Sequence, residues 1–102
     1  MTFIGFTALH IACINDNIDI VNSLLKCNSS VNLCDTNGST PLHVACYNGN
    51  IDIVNILLKY NGSVNLHDTN GFTPLPAACI NGNIDIVNSL LKCNSSVNLC
   101  ST

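Results

Sequence analysis

The chain is predicted to be all-α: a solenoid of stacked helix-turn-helix units joined by hairpin-like loops. Three observations lead there. Blocks of sequence recur every 33 residues, as at Gly5, Gly38 and Gly71, at Thr7, Thr40 and Thr73, and at Cys13, Cys46 and Cys79. Within each block apolar residues return at intervals of three and four, the period of a helix with one buried side. Each apolar run is also too short to hold a helix alone in water, so every unit must bury its apolar side against a neighbour.

The middle copy gives the clearest first helix. Thr40 is a good N-cap, and Pro41 follows at the first helical position, where its missing N–H costs nothing. Leu42, Ala45 and Cys46 then form one apolar stripe. Asn48-Gly49 ends the helix, since both residue types tolerate a left-handed backbone. Asn50 caps the second helix, and Asp52 lies in its first turn, where negative charge is favoured. Ile51, Val54, Leu57 and Leu58 are expected to form its buried stripe, with Lys59 in the last turn. Asn61 is expected to leave the helix through the left-handed region, as are Asn28 and Asn94 in the other copies. The link "SVNLHDTNG" at 63–71 carries the Asp-x-x-Gly spacing of a tight turn.

The copies differ informatively. Residues 13–34 and 79–100 are identical except at Asp16 and Gly82, whereas the middle copy departs from both at Tyr47, Ile56, Tyr60, Gly62 and His67. Pro74 repeats Pro41, but Pro76 stands where His10 and His43 stand. It removes a donor that Thr73 could cap and biases Leu75 away from helical angles. A looser or displaced first turn is expected there.

At 102 residues, with 47% hydrophobic and 9% charged residues, the composition is too apolar for disorder. The net charge is −3, and Lys26, Lys59 and Lys92 are too dispersed for the basic patch that nucleic-acid binding uses. No apolar run approaches the length of a membrane span. "FIGFTALHIAC" at 3–13 imitates an export signal, but it has no basic residue ahead of it and similar residues recur mid-chain.

These residues resemble the ankyrin repeat. The period, "GSTPLHVACYNGN" at 38–50, "IVNILL" at 53–58 and "VNLHD" at 64–68 carry the resemblance over essentially the whole chain. It implies one domain over 1–102, with repeats at about 5–37, 38–70 and 71–102, expected to be a piece of a longer array. It implies a non-catalytic scaffold that binds another protein through its finger-like loops and inner helix face. It also implies that Thr7, His10, Thr40, Pro41, His43, Thr73 and Pro74 are structural, with the histidines bonding to the threonine-led turns. Departures include Ala8 for the first motif proline, Pro76 for the third histidine, Thr2 where later turns have Asp35 and Asp68, and Asn-Ser or Asn-Gly after the second helix.

Positions that vary between copies are the contact candidates, because the scaffold does not dictate them. On the fingers these are Phe3, Thr36 and Thr69, then Phe6, Ser39 and Phe72. On the first helices they are Ile14, Tyr47 and Ile80, each followed by an asparagine (Asn15, Asn48 and Asn81). Aromatic residues favour interface hot spots. Alternatives are a structural spacer within a larger protein and, less in keeping with the residues, a thiol enzyme.

Metal binding and cofactors are not expected. Cys34, His67 and Cys100 share one column, but neighbouring units hold equivalent side chains about 8–10 Å apart, too far to converge on zinc. Cys13, Cys46 and Cys79 are expected to replace a small buried residue of the first helix. Seven cysteines are an odd number, and reduced thiols imply an intracellular, cytoplasmic setting. Asn28, Asn37, Asn61 and Asn94 begin N-x-S sequons, read as by-products of an asparagine-rich chain. Asn32, Asn65 and Asn98 match a position that asparaginyl hydroxylases modify in some relatives, although a turn-stabilising role is preferred. A terminal repeat usually has a polar outer face. The third copy nearly repeats the first without polar replacements, so self-association through the ends is a further expectation.

Overall fold

The structure, a computed structural model, describes residues 7–27 and 30–98, with side chains through Cys93. Six helices follow in order: α1 (Ala8–Ile14), α2 (Ile18–Lys26), α3 (Pro41–Asn48), α4 (Ile51–Lys59), α5 (Pro74–Asn81) and α6 (Ile84–Asn98). They form three antiparallel pairs. The first helices stack α1–α3–α5 and the second helices α2–α4–α6, so the molecule is two helical layers thick. Among the described residues there is no strand.

Local chemistry sets the helix starts. Thr7 and Thr40 cap α1 and α3 through capping boxes, in which the hydroxyl takes the N–H of the third helical residue and that residue's ring takes the cap's own N–H. Asn17, Asn50 and Asn83 accept the N–H of Ile20, Ile53 and Ile86. Asp19, Asp52 and Asp85 occupy the first turns. Gly49 and Gly82 end α3 and α5 with φ of 76° and 71°. Asp16 takes the same left-handed conformation after α1, at φ 56°. Asn61 leaves α4 at φ 70°.

The core runs through all three units: Leu9, Ala12, Cys13, Val21 and Leu25 of the first, Leu42, Ala45, Cys46, Ile53, Val54 and Leu57 of the second, and Ala77, Ala78, Ile86 and Leu90 of the third. The expected stripe of α4 needs correction. Ile53 is fully buried and belongs to it, whereas Ile51 and Leu58 are only half-buried. The buried residues of the helix are Ile53, Val54 and Leu57.

Two further expectations fail. Asn94 does not leave the helix, because α6 runs on to Asn98. The exit after α4 depends on Gly62, whose N–H bonds the Leu57 carbonyl at 2.7 Å, and a Cβ on Gly62 would lie 2.9 Å from that oxygen. Asn28 lies outside the described residues.

The start of α5 is not displaced either. Pro74 occupies the register of Pro41, with Thr73 as N-cap at φ −83° and ψ 174°. What is lost is the bond: Thr73 makes no side-chain cap, because Pro76 offers no N–H. The cap residue keeps its extended backbone, so the helix keeps its place and forfeits the hydrogen bonds of the capping box.

Candidate protein-binding surface

The fingers between units are built by aspartate. Asp35 Oδ1 accepts the N–H of Asn37 and of Ser39 at 2.8 and 3.0 Å, and Asp68 Oδ1 accepts those of Asn70 and Phe72 at 2.9 and 3.0 Å. Each finger closes as a narrow loop, with Asp35 N–H on the Ser39 carbonyl and Asp68 N–H on that of Phe72. The bond from Phe72 N–H, with that from Asn70, holds the Asp68 carboxyl below the usual carboxylate range, aided by nearby His43 and His67. The two fingers are joined directly, Thr69 N–H donating to the Asn37 carbonyl at 2.9 Å.

Histidines tie the fingers to the helices. His10 Nε2 lies 2.7 Å from the Ser39 carbonyl, and His43 Nε2 lies 2.8 Å from that of Phe72. Both rings are fully buried, and their Nδ1 atoms face the N–H and hydroxyl of Thr7 and Thr40. The structural role of both motifs is therefore visible. Pro41 and Pro74 are buried beside them.

The finger candidates remain outward. Thr36 and Thr69 are exposed, Ser39 is half-buried, and the Phe72 ring is exposed although its N–H and carbonyl are both bonded. Phe3 and Phe6 lie outside the described residues.

On the first helices, Ile14, Tyr47 and Ile80 form a continuous exposed row, Ile80 being 76% accessible. Their alignment has a physical cause. Asn48 Nδ2 donates to the carbonyls of Cys13 and Ile14, both at 3.0 Å, and Asn81 Nδ2 donates to those of Cys46 and Tyr47 at 3.1 and 2.7 Å. Each asparagine thus reaches back one repeat and seats its neighbour in the row beside the previous one. Asn48 and Asn81 thereby have a structural duty that the sequence reading gave them no hint of. Asn15 holds the same register in the first unit and is exposed.

Asn32 plays a similar part on the other side. Its Nδ2 donates to the Asn61 carbonyl, and its Oδ1 accepts the Ser63 N–H at 2.8 Å. Stabilisation by this amide therefore crosses between units. Exposed Leu33 and Leu66 follow it on the loops. They are identical in the copies, so they fall outside the varying positions from which the contact candidates were drawn.

The cysteine column splits. Cys13 and Cys46 are fully buried, and burial pushes their thiols up to about 12, with Asp16 adding to the effect at Cys13. Cys79 is exposed, contrary to expectation, because its counterparts are covered by the unit that follows them. Among the described residues no three potential metal ligands cluster, and no helix is long and apolar enough to cross a membrane. Cys100, the last member of the Cys34–His67 column, lies outside the described residues.

No curated protein matches the chain. The family described as ankyrin repeats (3 copies) matches residues 9–100. Members of that family generally act as protein–protein interaction modules and are typically non-enzymatic. With three registered helix pairs, their aspartate-built fingers and a match over nearly its whole length, the chain belongs to the ankyrin-repeat family.

Proposed function

We propose that the chain is a non-catalytic scaffold that holds a protein partner against its finger tips and first-helix face. The contact residues are Ile14, Asn15, Tyr47, Asn48, Ile80 and Asn81 on the helices, and Thr36, Ser39, Thr69 and Phe72 on the fingers. Phe6 joins them by register. The observation that carries this reading is the exposed row Ile14–Tyr47–Ile80, aligned by two asparagine bridges and not needed for the core. Aromatic and aliphatic anchors beside hydrogen-bonding amides are the composition of an interface centre.

The partner is a protein offering an apolar segment flanked by hydrogen-bonding groups. No charged residue stands in the row, and the three lysines lie on the second helices. Charge therefore steers little, and association should depend weakly on salt. The compartment that suits exposed, unpaired Cys27, Cys34 and Cys79 is the reducing cell interior. The test is partner capture by the wild-type chain against a Tyr47→Ala, Phe72→Ala double variant. Loss of a specifically retained protein supports the reading, and unchanged retention overturns it.

A further inference from the structure

One stretch of the sequence occurs twice and folds in two ways. Residues 17–34 and 83–100 are the same, residue for residue. In the first copy α2 stops at Lys26, with Cys27 as its cap, and residues 30–34 continue without helix. In the third copy the helix runs past the matching Lys92 and Cys93 to Asn98. Local sequence therefore permits both conformations. The extension CNSSVN at 93–98 contains none of the strong helix formers, so its own propensity does little to sustain it. Serine at 95 does not bar a loop, because Ser29 holds that register and α2 still ends.

The seat for the second conformation is already built, inside the stack. In the middle copy α4 ends at Lys59 and the chain turns away through Asn61, at φ 70°. The unit before it pins that loop. Asn32 Nδ2 donates to the Asn61 carbonyl at 3.2 Å, and Asn32 Oδ1 accepts the Ser63 N–H at 2.8 Å. Asn65 holds the register of Asn32, while Asn94 and Ser96 hold those of Asn61 and Ser63. The Asn65 side-chain amide makes no hydrogen bond among the described residues. It lines an open recess of about 330 Å³, together with Gly62, Ser63 and Val64 of the loop and Cys93 of α6. Residues 94–98 follow directly from Cys93, at the rim of that recess.

We propose that residues 94–98 form a two-state element: a helical extension of α6 in this structure, and a loop seated on 61–65 in the alternative. On seating, the Asn94 carbonyl and the Ser96 N–H leave the helical ladder for the Asn65 amide, as those of Asn61 and Ser63 meet Asn32. Helical bonds made by weak helix formers are exchanged for bonds between units. The recess is open in the helical state and filled in the seated one. A molecule occupying it and the seated loop exclude each other, so occupancy of the recess selects the helix.

Backbone Cα chemical shifts of the full chain read the helical fraction of 94–98 residue by residue. The identical residues 30–32 supply the loop reference for 96–98, and 86–90 supply the helical one. Wild-type values should fall between the two. Asn65→Ala, at an exposed position, should lower the loop-to-helix ratio about fivefold, the worth of one net hydrogen bond. Asn94→Gly, which enters the left-handed exit without steric cost and weakens the helix, should raise the ratio at least about fivefold. A merely frayed helix end would respond to Asn94→Gly but not to Asn65→Ala, so an unchanged ratio in Asn65→Ala overturns the proposal. A segment as helical as 86–90 in both the wild type and Asn94→Gly overturns it as well.

Discussion

The Nε2 atom of His43 lies 2.8 Å from the carbonyl oxygen of Phe72, in the next repeat. A carbonyl only accepts, so Nε2 carries the proton. Nδ1 is then left to accept from the N–H and hydroxyl of Thr40, at 3.1 and 2.9 Å. One buried ring thus secures its own helix start and the start of the unit that follows. His10 does the same with Thr7 and Ser39.

His43→Ala strands the Thr40 N–H, takes one of two donors from the Phe72 carbonyl, which keeps the Asp68 N–H, and opens a void between repeats. The expected loss is about 3 kcal/mol, since a buried group left unpaired costs roughly 1–3 kcal/mol and the void adds to it. Urea unfolding followed by circular dichroism measures it. His67 is exposed, and His67→Ala should change stability by less than about 0.5 kcal/mol. Equal losses for the two variants would refute the linking role of His43.

Pro76→His restores the residue type that the first two repeats use. It returns an N–H to the Thr73 hydroxyl and frees Leu75 from the restriction that a following proline imposes. A gain of about 1 kcal/mol is expected, the usual worth of an N-cap bond. No gain in urea midpoint would mean that the uncapped Thr73 is already satisfied in another way.

Gly38 and Gly71 both adopt positive φ, 77° and 86°, so alanine is strained at either. Only at Gly38 would the added Cβ also press on the next finger, 3.0 Å from Asp68 Cα and from Thr69 N, whereas at Gly71 it meets nothing within 4 Å. Gly71→Ala should cost about 1 kcal/mol and Gly38→Ala at least about 1 kcal/mol more. Thermal unfolding of the two variants side by side distinguishes a packed finger pair from two independent loops.

The buried thiols set an alkaline limit. Cys13 and Cys46 are pushed from the ordinary value of 9.0 to about 12 in the folded chain. The unfolded chain releases those protons first, so the stability they provide is complete below about pH 9 and is lost as pH rises towards 12. The loss is about 1.4 kcal/mol per thiol for each unit above 9. Alkylation with mass mapping at neutral pH should label Cys27, Cys34 and Cys79 promptly and Cys13 and Cys46 only after unfolding. Prompt labelling of Cys46 in the native chain would show that the α3–α5 contact opens readily.

What the sequence made legible is what local chemistry decides. Thr40-Pro41, the asparagine caps Asn17, Asn50 and Asn83, the glycines after α3 and α5 and the Asp-x-x-Gly turns all act within five residues of themselves. The period of 33 supplied the stacking. What stayed hidden depends on a neighbour. Ile53 is buried and Ile51 only half-buried, a difference decided where α4 packs against α2, α3 and α6. Cys79 is exposed because covering that column is the task of a following unit. Asn48 spans 35 residues to reach the Cys13 carbonyl, and nothing in its own segment announces that reach. The failed exit at Asn94 is not local either, since residues 17–34 repeat at 83–100 and yet α2 ends at Lys26 while α6 runs to Asn98.

The central claim is that the exposed row and finger tips, rather than the fold as such, perform the function. Capture from cell extract with three baits tests it most directly: the wild type, the Tyr47→Ala, Phe72→Ala double variant, and Ile20→Glu, which alters a surface away from the row. A protein retained by the wild type and by Ile20→Glu but lost by the double variant, with all three baits equally helical, is the predicted result. The same protein retained equally by all three would contradict the claim and leave the chain as a spacer.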